Sequence, residues 1–149
     1  MAMKGTNRMK RFLEKAAAAL FLTGCDDGIY DLPEDAPELK TAVYVNKNDE
    51  NDGYASIMYG GREYVCYGTA EDAVKLIEQD VNACVGYTGG SRSNVVCTLK
   101  ETNDYIMRTF LRGFTDEPIF FRAADTLGKS IYTPGYIRGW GYGLWGKEA

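Results

Sequence analysis

The chain has 149 residues, of which 45% are hydrophobic and 26% charged, which is enough for one ordinary globular domain and marginal for two. It contains no histidine, and that excludes Ser-His-Asp and Cys-His catalysis, histidine-ligated zinc and imidazole proton transfer. Residues 1–24 hold five cations and one acid; from Cys25 onward 12 cationic and 20 acidic side chains leave a formal charge of −8, which excludes nucleic-acid phosphates as a partner and electrostatic attachment to an anionic bilayer.

The first segment runs from a basic stretch (Lys4 to Arg11) through an apolar run (Ala16 to Leu22) to small residues and a cysteine, the layout of a secretory signal peptide. The apolar run falls far short of the ~20 residues that a bilayer span needs. Its last four residues, Leu22-Thr23-Gly24-Cys25, resemble the lipobox of bacterial lipoproteins. The resemblance implies a diacylglyceryl group on the Cys25 thiol, cleavage by signal peptidase II between Gly24 and Cys25, and acylation of the new N-terminus. A thiolate is the nucleophile that accepts such a lipid, and two or more acyl chains hold a protein on a membrane stably. The alternative for this segment is an amphipathic N-terminal helix built on alanine and leucine.

Residues 25–40 follow as an expected acidic tether. The stretch 26–40 has six acids and two prolines, with little to bury, so it reads as a flexible spacer between bilayer and domain. Asp26, directly after the cysteine, resembles the inner-membrane retention signal of enterobacterial-type lipoproteins.

A single β-rich domain with a Gly/aromatic tail is expected over 41–149. TAVYVN (41–46) reads as a strand and KNDENDG (47–53) as a loop. Placing Gly53 at the glycine of an EF-hand loop puts Asn48, Glu50 and Asp52 at early ligand positions, but the bidentate acid then falls on Tyr59, so no calcium site is expected. YASIMY and REYVCYG around Gly60-Gly61 form a two-residue hairpin signal. TAEDAVKLIEQD (69–80) reads as the one helix, with Thr69 and Asp72 as a capping box. Further strands are expected at 83–88, 94–99, 104–112 and 118–124, with SIYT (130–133) as a short last one. About seven short strands with one helix imply an α+β, mainly β fold: a small barrel or a compact antiparallel sheet. The ordering of MYGGREYVCYG, CVGY, PIFFRAADTLGK and IYTPGYI is loosely similar to small uncharacterised lipoproteins of Gram-positive bacteria, which carry no activity across.

Few residues offer chemistry. Cys66, Cys84 and Cys97 allow one disulfide with three pairings, or three thiols in a reduced core. Asp104, Asp116, Glu117 and Asp125 are candidate paired carboxylates for glycoside hydrolysis, although Asp104 and Asp125 sit in turn-like contexts. In the tail, Tyr136, Trp140, Tyr142 and Trp145 are candidate ligand contacts that could stack on sugars or a protein partner, or else close one end of the core. The expected protein is therefore a lipid-anchored, extracytoplasmic envelope protein with a non-catalytic binding domain. Membrane attachment runs through Cys25, an envelope protein or glycan is the expected partner, and no cofactor or metal is expected.

Overall fold

Alternation of apolar and polar residues along YASIMY, REYVCY and YIMRTF places side chains on opposite faces of a pleated sheet. The computed structural model describes residues 31–70, 79–110 and 118–146, and these segments build such a sheet. Its strands are β1 (Thr41–Asn46), β2 (Asp49–Tyr59), β3 (Arg62–Ala70), β4 (Val81–Thr88), β5 (Ser91–Leu99), β6 (Tyr105–Phe110), β7 (Ile119–Ala123) and β8 (Ile137–Gly139). They pair in the order β1-β2-β3-β7-β6-β5-β4, every ladder antiparallel, with β8 added to β3. The mainly β reading holds. Of its two forms the open antiparallel sheet is the one found, because β1 and β4 stay edge strands and do not form a closing ladder.

The two-residue turn at Gly60-Gly61 has φ of 61° and 80°, the left-handed conformation that a type I′ hairpin needs and glycine adopts without strain. A bulge follows in β3: Cys66 pairs with Phe121 and Gly68 with Phe120, leaving Tyr67 as the extra residue. Beyond the bulge β8 lies so close that a Cβ on Gly68 would sit 2.1 Å from the Arg138 carbonyl oxygen.

Each face of the sheet is covered. On one, Ile57, Tyr64, Val96, Ile106, Phe121 and Ala123 form a buried cluster with Leu39, Cys66 and Val85 packed against it. On the other, Tyr67, Tyr105, Met107, Phe120 and Trp145 are buried. The Tyr67 ring stands edge-on to Tyr105 and Trp145, with centroids 5.3 and 5.5 Å apart.

Four expectations about elements are corrected. The loop at 47–53 shrinks to a turn at Lys47-Asn48, because Asp49 to Asp52 extend β2 past the polar stretch. SIYT forms no strand; the last strand is Ile137–Gly139, where the β3 bulge leaves an edge to pair with. Thr69 and Ala70 belong to β3 and not to the expected helix, and the Thr69 hydroxyl donates to the Pro118 carbonyl at 3.1 Å; Asp72, the other half of the expected capping box, lies outside the described residues. Gln79 and Asp80 are helical, and residues 71–78 of the expected helix lie outside the described residues.

The fourth correction concerns the tether, of which residues 25–30 lie outside the described residues. From Leu32 onward the chain belongs to the same compact unit as the strands. Leu39 N–H donates to the Tyr87 carbonyl (2.7 Å), Tyr87 N–H to the Pro37 carbonyl (3.2 Å), and Met58 N–H to the Lys40 carbonyl (2.8 Å). Arg92 reaches the Pro33 carbonyl at 2.8 Å, and Gly90 N–H donates to Glu38 Oε2 at 2.7 Å. Acidic composition suggested a spacer, but the edge strand β4 presents unpaired backbone groups, and Pro37 and Leu39 satisfy those of Tyr87.

Candidate functional site

Strand register decides which side of the sheet each residue serves. In β6, Ile106 opposes Phe121 and Arg108 opposes Val96 and Ile119, so Arg108 shares the face of the apolar cluster. At this end of the cluster an open cavity of about 450 Å³ is lined by β1, β2, β6, β7 and the β4–β5 turn. Val43, Ile57 and Phe121 supply apolar wall, Thr88 and Asn94 polar wall. Arg108 is the only charged residue among the described residues that line it.

The half-buried Arg108 guanidinium lies over the Phe121 ring, 5.3 Å from its centroid. It makes no hydrogen bond or ion pair with any described residue, whereas a guanidinium taken out of water ordinarily binds a carboxylate through its fork of donors. Burying an unpaired charge is costly, so the cavity favours any anion that brings the missing acceptors. Cys66 packs against the same cluster. Burial raises its thiol pKa, and the Ala55 backbone and the Arg108 charge offset only part of that rise. This is not the lowered pKa that a nucleophilic cysteine requires.

A second depression of about 430 Å³, between the residues that precede β4, those that follow β5 and the C-terminal segment, is lined by Asp80, Lys100, Glu101, Tyr132 and Tyr136 among others. Its acids are already engaged. Asp80 accepts a short hydrogen bond from the Tyr136 hydroxyl and a 3.1 Å bond from Glu101 N–H, and Glu101 accepts from the Tyr132 hydroxyl at 2.6 Å. Burial, and then the Asp80 carboxylate, push the Tyr136 hydroxyl pKa up, so it acts here as a donor and not as a base.

The candidate ligand contacts of the tail separate into two pairs. Tyr136 and Trp145 are buried, the latter 2% exposed, with Trp145 Nε1 donating to the Cys66 carbonyl at 2.9 Å. Trp140 and Tyr142 are 40% and 63% exposed and stack on each other, centroids 6.5 Å apart at 23°. Only this second pair presents rings to solvent.

Asp104 and Asp125 do meet, but across one guanidinium. Arg62 Nη2 lies 3.0 Å from Asp104 Oδ1 and 2.7 Å from Asp125 Oδ1, and Arg62 Nε donates to Asp125 Oδ2. The Arg62 bond lowers the Asp125 pKa, opposite to what a general acid needs. Asp116 and Glu117 lie outside the described residues, as do Leu22, Thr23, Gly24 and Cys25. In the β1–β2 hairpin Asp52 accepts from the Asn46 amide and the Tyr54 hydroxyl. No group of three or more potential metal ligands occurs among the described residues, and no helix there is long and apolar enough to cross a membrane.

No protein-family model, curated protein or solved structure matches the chain. The residue that sequence reasoning missed is Arg108, and its signal was the i, i+2 spacing Ile106-Arg108-Phe110, which sets a cation on a core face.

Proposed function

We propose that this chain is a lipid-anchored envelope protein whose β domain binds a small organic anion in the Arg108 cavity. The observation that carries the binding reading is a single cation in an otherwise uncharged, partly apolar cavity, without a hydrogen-bonding or ion-pairing partner among the described residues. A ligand that suits it has a carboxylate for the guanidinium fork and an apolar body for Phe121, Val43 and Ile57. Such a site binds without needing a nucleophile or a proton shuttle, in keeping with a non-catalytic role. The anchor reading rests on Leu22-Thr23-Gly24-Cys25 and places the domain on the extracytoplasmic face of the cell membrane.

Thermal unfolding with benzoate, hexanoate and inorganic phosphate tests the cavity. A bound ligand stabilises by about 2.7 kcal/mol at a hundredfold excess over Kd. Benzoate or hexanoate is expected to raise Tm of the wild type and to leave Arg108→Met unmoved. Equal shifts in both proteins, or none, refute the site. The anchor is tested separately by mass spectrometry of the protein from its native membrane. Diacylglyceryl Cys25 at the N-terminus is expected, and an unmodified Cys25 within an intact precursor refutes it.

A second reading, a cell-wall or glycan-binding module, is favoured by the exposed stack of Trp140 on Tyr142. Sugars stack on such rings. Pull-down by peptidoglycan that survives Trp140→Ala combined with Tyr142→Ala would eliminate it.

A further inference from the structure

We propose that Cys84 and Cys97 form a disulfide that joins edge strand β4 to β5, and that Cys66 remains the thiol. Composition left three pairings open, and the register chooses among them. Cys84 and Cys97 stand directly opposite each other in the β4–β5 ladder. Directly opposed residues have Cα atoms about 4.5–5.5 Å apart, inside the ~4.4–6.8 Å span of disulfides. Their sulfurs already lie 3.5 Å apart. Cys66 cannot compete. It sits on β3, separated from β5 by β7 and β6, and it shares the face of Phe121, whereas Cys97 opposes Met107, which opposes Phe120 on the other face.

The bond secures an edge of the sheet. β4 is an edge strand held by β5 along one side. Three residues beyond Cys84, Tyr87 carries the backbone bonds that dock Pro37 and Leu39, the segment leading back toward Cys25. The N-terminal segment is thus held both by β4, through Tyr87, and by β5, through Arg92, and a covalent link between the two strands keeps that edge from peeling away.

The oxidant is a disulfide donor of the glutathione or oxidoreductase class. The Cys84 thiolate attacks one donor sulfur and expels the first thiolate. The Cys97 thiolate then attacks the Cys84 sulfur, closes the Sγ–Sγ bond and expels the second. The two cysteines lose two electrons and two protons, and the donor leaves as two thiols. Cys97 is fully buried in the folded sheet, and its hydrogen bond with Cys84 and its burial both push its thiol pKa up, so exchange belongs to folding, before β4 closes on β5.

The test uses the full chain with Cys25→Ser, refolded in a glutathione redox buffer, so the outcome does not depend on the lipid anchor or on the Arg108 cavity. Thiols are alkylated in denaturant before trypsin digestion. Cleavage after Arg92 puts the two cysteines on separate peptides, Leu76 to Arg92 and Ser93 to Lys100. The expected product is those two peptides joined, with alkylated Cys66, and a Tm that falls by about 10 °C on reduction. Adding Cys66→Ser is expected to preserve both results. Alkylation of Cys84 and Cys97 in the refolded protein, or a link through Cys66, overturns the proposal.

Discussion

The guanidinium of Arg122, on β7, lies 4.8 Å from the ring of Trp145, which the chain supplies 23 residues later from its C-terminal segment. Arg122 is almost wholly buried, and its hydrogens go to the Thr126 hydroxyl (2.8 Å) and to the carbonyls of Thr126 and Lys129 (3.0 Å each). The Trp145 face covers the cation and excludes water from those bonds, so the ring is a structural lid on a buried charge.

Removing that lid should be costly. Trp145→Ala is expected to destabilise the domain by about 3–5 kcal/mol, the usual range for deleting a buried aromatic. Urea unfolding measures it, and a loss below about 1 kcal/mol would contradict the packing described here.

Trp140 and Tyr142 lie within five residues of Trp145 and behave in the opposite way. Both are exposed, and Trp140→Ala and Tyr142→Ala are each expected to change stability by no more than about 0.5 kcal/mol. The same urea titration separates the two classes within one segment.

Acid should weaken the Arg62 junction. Bonding to Arg62 lowers the Asp125 pKa below its ordinary 3.8. A carboxylate with a depressed folded pKa contributes stability that is present above the ordinary value and lost as pH falls through the folded value. The loss therefore lies below pH 3.8, and it is small because Asp125 is exposed and solvent screens the pair. Comparing wild type with Arg62→Met across that window, the wild type is expected to lose more stability on acidification; parallel pH curves would show that the pair contributes nothing.

Gly86 permits the N-terminal segment to lie on β4. A Cβ there would meet the Leu39 side chain at 2.7 Å and the Pro37 carbonyl oxygen at 2.8 Å. Gly86→Val is expected to release Pro37 to Leu39 while β4 stays paired with β5. Hydrogen exchange should accelerate at the amides of Leu39 and Tyr87, which donate across that contact, and unchanged protection at both would refute the role of Gly86.

Local signals in the sequence were enough for most strands. β1 coincides with TAVYVN, and the Gly60-Gly61 turn joins the two runs it was expected to join, because alternation and left-handed glycines act between near neighbours. Cys84 and Cys97 show where such signals stop: each reads as a small apolar strand residue, and only the β4–β5 register makes them partners. Arg108 likewise reads as one more charge in a strand until β5 and β7 flank it.

The sequence by itself determined the β character of the body, its hairpin chemistry, the absence of histidine catalysis and the lipobox resemblance at Cys25. All are properties of residue type and short spacing. Tertiary structure alone decided that Pro37 to Lys40 dock, that Trp145 is buried while Trp140 is not, that Asp104 and Asp125 share Arg62, and that Arg108 faces a cavity. Each depends on which strands become neighbours across long stretches of chain, and hydrophobic periodicity carries no record of that pairing.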